Sequence, residues 1–272
     1  DAKIDAEELY CFLTGIDRVH LFLKANDEVD PETEEKYMEL IARRAQRIPL
    51  QHITGVQEFM GHTFKVSPDV LIPRQDTETL VLEAGRTIQA NPQKKAGFWD
   101  KLKGRGDWEV LDLCCGSGAV GISLTKMYSN IKVTATDISE AALKVAEENA
   151  ENLRTKIKFL QGDMFAPLNG KKFDMIVSNP PYIRTNMISI LQEEVKKHEP
   201  LSALDGGRDG LDFYRTIVEQ AADHLTPEGW LMMEIGHDQG EDLRKMLKDS
   251  QKYTPAEVVK DLLGRDRVVK CR

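Results

Sequence analysis

The feature that most constrains this chain is a regular alternation that begins after Asp107. Apolar runs at 108–113, 131–136, 156–160, 173–178 and 229–235 are separated by helical patterns at 119–128, 140–153 and 209–224. Strands that alternate with helices pair in parallel, because each return to the same edge of a sheet needs a crossover. The predicted architecture is therefore α/β, a Rossmann-like, mostly parallel, doubly wound sheet. Two more β-like runs, 256–260 and 267–271, stand too close together for an intervening helix. They are expected as an antiparallel edge pair, giving seven strands in all.

Ahead of this alternation the periodicity is different. Residues 4–25 and 31–48 read as helices, the second opened by Asp30 as N-cap and Pro31 at the first helical position. Tyr37, Leu40, Ile41, Ala45 and Ile48 then recur at helical spacing. Between Leu50 and Ile72 the apolar residues, punctuated by Gly55, Gly61 and Pro68, read as a short β-hairpin and linker, and Thr77–Ala90 as a helix. The expected division is an N-terminal helical domain at 1–50, a hairpin linker at 51–75 and the α/β domain at 76–272. A polar stretch from Asn91 to Asp107 is expected as an exposed loop.

Bulk composition excludes several classes. The chain has 272 residues, 41% hydrophobic and 30% charged, which is ordinary for a soluble globular protein. No apolar run approaches the ~20 residues a membrane-crossing helix needs. The opening Asp1-Ala2-Lys3-Ile4-Asp5 is acidic and is not expected to be a signal peptide; the missing initiator Met suggests a trimmed start. Four cysteines (Cys11, Cys114, Cys115, Cys271) show no metal spacing, and reduced thiols in a cytoplasmic protein account for them. The net charge of −8 argues against a direct nucleic-acid binder. Residues 1–75 hold 9 Lys and Arg against 14 Asp and Glu, which suits a basic protein partner. Nothing demands more than a monomer.

Two patterns carry chemistry. Glu109 to Leu113 is a strand running into Cys114-Cys115-Gly116-Ser117-Gly118, a small-residue turn before a helix. Such a turn brings backbone N–H groups and a helix N-terminus close to a ligand. Asp137 ends the next strand, where an acid takes up the ribose hydroxyls of a nucleotide-type cofactor. Gly116 to Gly121 also fits a dinucleotide fingerprint by spacing, but Asp112 within the strand is more typical of S-adenosylmethionine enzymes. A third contact is expected at Gly162-Asp163-Met164, with Asp163 toward the adenine amino group and Met164 on the ring. The second pattern is Asn179-Pro180-Pro181-Tyr182 after the strand at 173–178. Two prolines stop the strand and stiffen the turn, which presents one carboxamide and one aromatic ring. Ligands in open α/β sheets sit where strand order reverses. If the strands containing Val110 and Ile176 flank that point, the tetrapeptide faces the same crevice as Gly116.

These residues, with Ile48 to Gly55, Leu71 to Glu78, Glu199 to Leu204, Gly207 to Leu211, Glu234 to Gly236 and Asp261 to Arg267, resemble the HemK/PrmC family. These are class I methyltransferases that act on release-factor glutamine. The resemblance implies S-adenosyl-L-methionine as cofactor, held by Cys114 to Gly118, Asp137, Asp163, Met164 and Asn179, with no metal. It implies that Asn179, Pro180, Pro181 and Tyr182 hold the glutamine of a Gly-Gly-Gln motif in a peptide chain release factor, and that the helical domain recognises that protein. Asn179 and Pro180 would accept the amide N–H groups, and Tyr182 would wall the amide plane. Two departures from the family stand out: Cys114-Cys115 in place of a smaller pair, and Met164 where an aromatic is common. Cofactor binding is expected to survive if Cys114 takes a negative φ. A ribosomal-protein glutamine methyltransferase is the nearest alternative. A DNA or RNA amino-methyltransferase would need a basic groove, and a non-catalytic scaffold would not need these motifs intact.

Overall fold

A computed structural model describes residues 2–91 and 107–272. The predicted loop at 91–107 falls, apart from its two end residues, outside the described residues. The N-terminal segment folds as α1 (Ala2–Thr14), α2 (Arg18–Leu23), α3 (Pro31–Ala45) and the short α4 (Leu50–Thr54). The single helix expected over 4–25 is thus two. Gly15, at φ 72°, donates its N–H to Cys11 O and ends α1, and Asp17 then caps α2 by accepting from His20 N. In α3, Asp30 accepts from Thr33 N, with Pro31 at the first position and Arg43 and Arg44 in the last turn. Tyr37 packs edge-on against Tyr10, ring centroids 5.4 Å apart. Arg44 pairs with Asp5 at 2.7 Å and reaches Glu194 at 3.1 Å, so one guanidinium ties two helices of this segment to the α/β body.

The hairpin is β1 (Val56–Phe59) with β2 (His62–Lys65), antiparallel and closed by Met60-Gly61. Both turn residues have positive φ, the geometry that follows the twist of a two-residue hairpin. It is anchored at both ends. Met60 N donates to Glu78 at the start of α5 (Glu78–Ala90), and Lys65 exchanges two hydrogen bonds with the buried Asn149 amide. That same amide donates to Ser117 O, so the hairpin braces the small-residue turn.

The body alternates as expected: β3 (Trp108–Leu113), α6 (Ala119–Met127), β4 (Ile131–Asp137), α7 (Glu140–Asn152), β5 (Ile157–Gln161) and β6 (Phe173–Ser178). Two short helices follow, α8 (Thr185–Ile188) and α9 (Glu193–His198), then α10 (Asp212–Gln220), β7 (Leu225–Glu234), α11 (Gly240–Ser250), β8 (Glu257–Lys260) and β9 (Asp266–Cys271). The pattern expected at 209–224 becomes α10 and a 3-10 turn at Ala221–His224. The sheet order is β5-β4-β3-β6-β7-β9-β8. β9 is antiparallel to both neighbours and lies inside the sheet, so the expected antiparallel pair stands at one end of it with β8 as the edge strand. Burial explains this: Val268, Val269 and Cys271 are almost fully excluded from water, as an inner strand requires. One apolar layer, around Phe173, Tyr214 and Leu231, packs one face of the sheet; another, around Phe59, Leu80, Ile122 and Met232, packs the other. Strand order reverses between β3 and β6, whose ends pair as Leu113 with Ser178. The turns after both strands therefore open onto one crevice.

Candidate active site

The crevice holds a cavity of about 500 Å³. It is lined from the β3 turn by Cys114 to Ser117, from β4 by Asp137, after β5 by Gly162 to Met164, and after β6 by Asn179 and Pro181. The segment before α5 adds Asp69 to Leu71, Pro73 and Thr77. Pro200, Ser202, Ala203, Asp205, Asp212 and Phe213 close another side. Of the residues singled out in the sequence, Pro180 and Tyr182 do not line this cavity, and Gly118 sits just behind it. Tyr182 is partly buried against the core and reaches Glu234 with its hydroxyl.

The β3 turn is built by backbone hydrogen bonds. Cys115 N donates to Thr136 O, and Gly118 N closes the turn on Cys115 O. Asp137 accepts from Gly116 N at 2.8 Å and from Ser139 N at 2.9 Å, bracing the turn while facing the cavity. The two glycines serve different ends. A side chain at Gly118 (φ 78°) would press on Ile122 and Ala146, so this residue permits close packing of the turn on α7. A side chain at Gly116 would meet no protein atom within 4 Å. Gly116 itself lines the cavity, so that open space is continuous with it.

The condition set for Cys114, a negative φ, is not met: its φ is +60°. The chain must turn sharply at the end of β3 to bring Cys115 N onto Thr136 O, and Cys114 takes the left-handed conformation that does so. Such a position costs a non-glycine residue on the order of 1 kcal/mol or more. Its Sγ lies 3.8 Å from Met164 Sδ, so the two residues touch each other. Met164 is itself left-handed (φ 48°), and is both a core residue and part of the cavity wall. Burial pushes both Cys114 and Cys115 thiols well up, which keeps them protonated.

Asp112, buried below the turn, accepts from Gly121 N at 2.8 Å in the first turn of α6. Burial raises its carboxyl to about 7, against that hydrogen bond and with Asp137 adding to the rise. Sequence reasoning noted Asp112 without placing it in the site, and it lines the cavity.

The β6 turn is supported from far along the chain. Asn179 Nδ2 donates to Thr77 Oγ1 at 3.1 Å. Asn179 Oδ1 and the Pro180 carbonyl have no hydrogen-bond partner among the described residues. Ile183 and Gly206 exchange backbone bonds with Leu204 and Ile183, and the Gly206–Gly210 loop packs so tightly on Tyr182 that a side chain at Gly206 would sit 2.7 Å from its backbone. Glu199 is buried and paired to Arg74, linking the segment before Thr77 to the Pro200–Ala203 wall. Thr77, Glu199 and Glu234 carried no catalytic signal of their own in the sequence. Only their membership in recurring motifs marked them.

Residues 1–55 match the family model described as the PrmC N-terminal domain, and residues 98–198 match the methyltransferase small domain. The release factor glutamine methyltransferase of Geobacter sulfurreducens is 40% identical over 99% of this chain and 89% of its own length. That of Moorella thermoacetica is 41% identical over 97% of this chain and 89% of its own.

The chain belongs to the release factor glutamine methyltransferase family.

Solved structures add the fold. A methyltransferase from Pyrococcus furiosus superposes with a TM-score of 0.52 at 18% identity, over 88% of this chain and 98% of that one. A 16S rRNA methyltransferase from T. thermophilus, solved with AdoMet and guanosine, gives 0.52 at 21% identity over 80% and 49% of the two chains. As a member of the family this chain is an S-adenosyl-L-methionine-dependent methyltransferase. Its cavity fits that cofactor: the Gly116 cradle is free of protein, and Asp137 stands at the end of β4 facing the same space. No helix among the described residues is long and apolar enough to cross a membrane.

Proposed function

We propose that this enzyme methylates the side-chain nitrogen of the glutamine in the Gly-Gly-Gln motif of class-1 peptide chain release factors. The family's name supports the substrate, and one observation in the site carries the chemistry: Asn179 offers a free carboxamide oxygen at the mouth of the cofactor cavity. Cys114 to Gly118, Asp137, Asp163 and Met164 would hold S-adenosyl-L-methionine, which supplies an electrophilic methyl group on a sulfonium. The chain's own contribution is to present the acceptor nitrogen.

A glutamine amide is a poor nucleophile because its lone pair is delocalised into its carbonyl. Asn179 Oδ1 and the Pro180 carbonyl each accept one N–H of that amide, which fixes the nitrogen and aims its lone pair into the cavity. Positioning of this kind is worth several kcal/mol. The same oxygens stabilise the positive charge that develops on nitrogen. Tyr182 stiffens the turn from behind, packed on the core with its hydroxyl on Glu234, in place of the amide wall expected of it. The substrate nitrogen then releases one proton to water, so no general base is assigned. The helices at 1–50 form the recognition domain, 51–75 the linker and 76–272 the catalytic domain; the acidic N-terminal face meets the release factor.

The test is transfer of label from S-adenosyl-L-methionine to purified release factors, a ribosomal protein and nucleic acid in parallel. Label is expected on a release factor and absent when its Gly-Gly-Gln glutamine is replaced. Label on RNA, DNA or the ribosomal protein alone would overturn the proposal.

A further inference from the structure

Behind the Asn-Pro-Pro-Tyr turn lies a buried carboxylate that substrate cannot touch. Glu234, at the end of β7, is 1% exposed. Its Oε1 accepts from the Tyr182 hydroxyl at 3.2 Å, and its buried Oε2 has no hydrogen-bond partner among the described residues. Thr77 Oγ1 accepts from Asn179 Nδ2 at 3.1 Å, which leaves its own proton free for an acceptor, and Thr77 is among the groups that lower the Glu234 carboxyl. Arg267, paired with Asp76 at 3.0 Å and Asp261 at 3.2 Å, balances the cluster.

We propose that Glu234 and Thr77 are positioning residues that set the hydrogen-bond polarity of the site, so that Asn179 faces the substrate with its oxygen and not its amino group. The inference rests on the acceptor role given to Asn179 above. A carboxamide is nearly symmetric in shape, and either end fits the same space. What breaks the symmetry is the direction of the chain behind it. A carboxylate only accepts. A threonine hydroxyl has one proton, and once that proton is given to Glu234 the oxygen can only accept. Asn179 must then offer Nδ2 to Thr77, which leaves Oδ1 for the cavity. If residue 234 donated instead, the Thr77 proton would turn to Asn179, the amide would flip, and an NH2 group would confront the substrate's own NH2. The device therefore selects an N–H donor, an amide, over a carboxylate such as glutamate. Burial raises the Glu234 carboxyl to about 7, with Thr77, Arg267 and Tyr182 lowering it and Asp76 raising it, so the acceptor form is favoured on the alkaline side of neutrality.

The experiment compares Thr77→Val, Thr77→Ser, Glu234→Gln and Asn179→Ala in the full-length enzyme with a purified release factor. The readouts are kcat, KM, the cofactor dissociation constant and the pH profile. Thr77→Val should lower kcat by about 10- to 100-fold with cofactor affinity within about threefold, and Thr77→Ser should recover most of that loss. In Glu234→Gln, kcat should fall and its acid limb near neutrality should vanish. Wild-type kcat in Thr77→Val, with Asn179→Ala still impaired, overturns this inference and leaves the acceptor role standing. A Thr77→Ser enzyme as slow as Thr77→Val overturns it too, because packing of the methyl group would then be the cause. An unimpaired Asn179→Ala removes the acceptor role itself, and the inference with it. The Thr77 pair decides the matter even if Glu234→Gln does not fold.

Discussion

The two halves of the cavity are built by opposite means. The cofactor half is local and made of backbone: Asp112, the Cys114–Gly118 turn and Asp137 lie within one βαβ unit, and amide groups do the bracing. The acceptor half is assembled from side chains that are remote in sequence. Asn179 meets Thr77 across 102 residues, and Tyr182 meets Glu234 across 52. A local backbone site depends little on the identity of side chains such as Cys114. A site made of distant side chains depends on each hydroxyl and carboxyl pointing one way.

The sharpest way to separate the halves is Asn179→Ala. It removes an acceptor that matters in the transition state, so kcat should fall about 100-fold or more while the cofactor dissociation constant stays within about threefold. Equal losses in both quantities, measured by steady-state kinetics and equilibrium dialysis, would show that the halves are not separate.

Asp112 tests the stability of the cofactor half. Its folded carboxyl sits near 7, above the ordinary 3.8, because burial disfavours the charge. A raised folded value contributes stability that is complete below the unfolded pKa and is lost as pH rises through about 7. Asp112→Asn keeps an oxygen for Gly121 N and removes the titration. The variant should therefore gain on the wild type by about 2 kcal/mol between pH 5 and pH 8, read from denaturant midpoints across that range. Glu234 titrates in the same window but has Arg267 nearby, and it makes the acceptor half pH-dependent in the same direction. A pH dependence unchanged by Asp112→Asn would place the burden on Glu234.

The contrast between the halves also explains what could be read in the sequence. Strand–turn–helix units announce themselves locally, so the parallel sheet, the Gly116–Gly118 turn and Asp137 were legible from spacing. The Asn-Pro-Pro-Tyr turn was legible as a stiff strand end. Thr77 and Glu234 were not, because one is an ordinary residue before a helix and the other an ordinary strand end. The pairing of β6 with β7 brings Glu234 to Tyr182, and the packing of α5 against β7 and β9 sets Thr77 beside Asn179. Gly15 splitting the first helix was present in the sequence, and an unbroken apolar pattern across it concealed the break. The inner position of β9 depends on long-range pairing, which periodicity does not encode.

For Asp137→Ala the expected loss is smaller and falls on the other quantity. Two backbone N–H groups, of Gly116 and Ser139, lose their acceptor, and the face turned to the cavity loses a carboxylate. Cofactor affinity should drop about tenfold, with kcat at saturating cofactor little changed. An unaltered dissociation constant would refute the cofactor role of Asp137.

The smallest effect is expected at Cys114, where the local half carries a non-glycine residue at positive φ. The residue holds φ +60°, which glycine adopts without the Cβ penalty, so Cys114→Gly relieves strain on the order of 1 kcal/mol. Against this, the variant gives up the contact of Sγ with Met164 Sδ at 3.8 Å and some buried apolar area of the cavity wall, also worth on the order of 1 kcal/mol. The two terms nearly cancel, so the thermal midpoint should move by no more than a few degrees. Cofactor affinity should hold within about threefold, because backbone N–H groups and not the thiol make the turn. Cys114→Val separates the terms: it keeps apolar volume but places a β-branched residue at positive φ, and should be clearly less stable than either. A Cys114→Gly enzyme that lost its cofactor would mean that the thiol, and not the backbone, holds this half of the site.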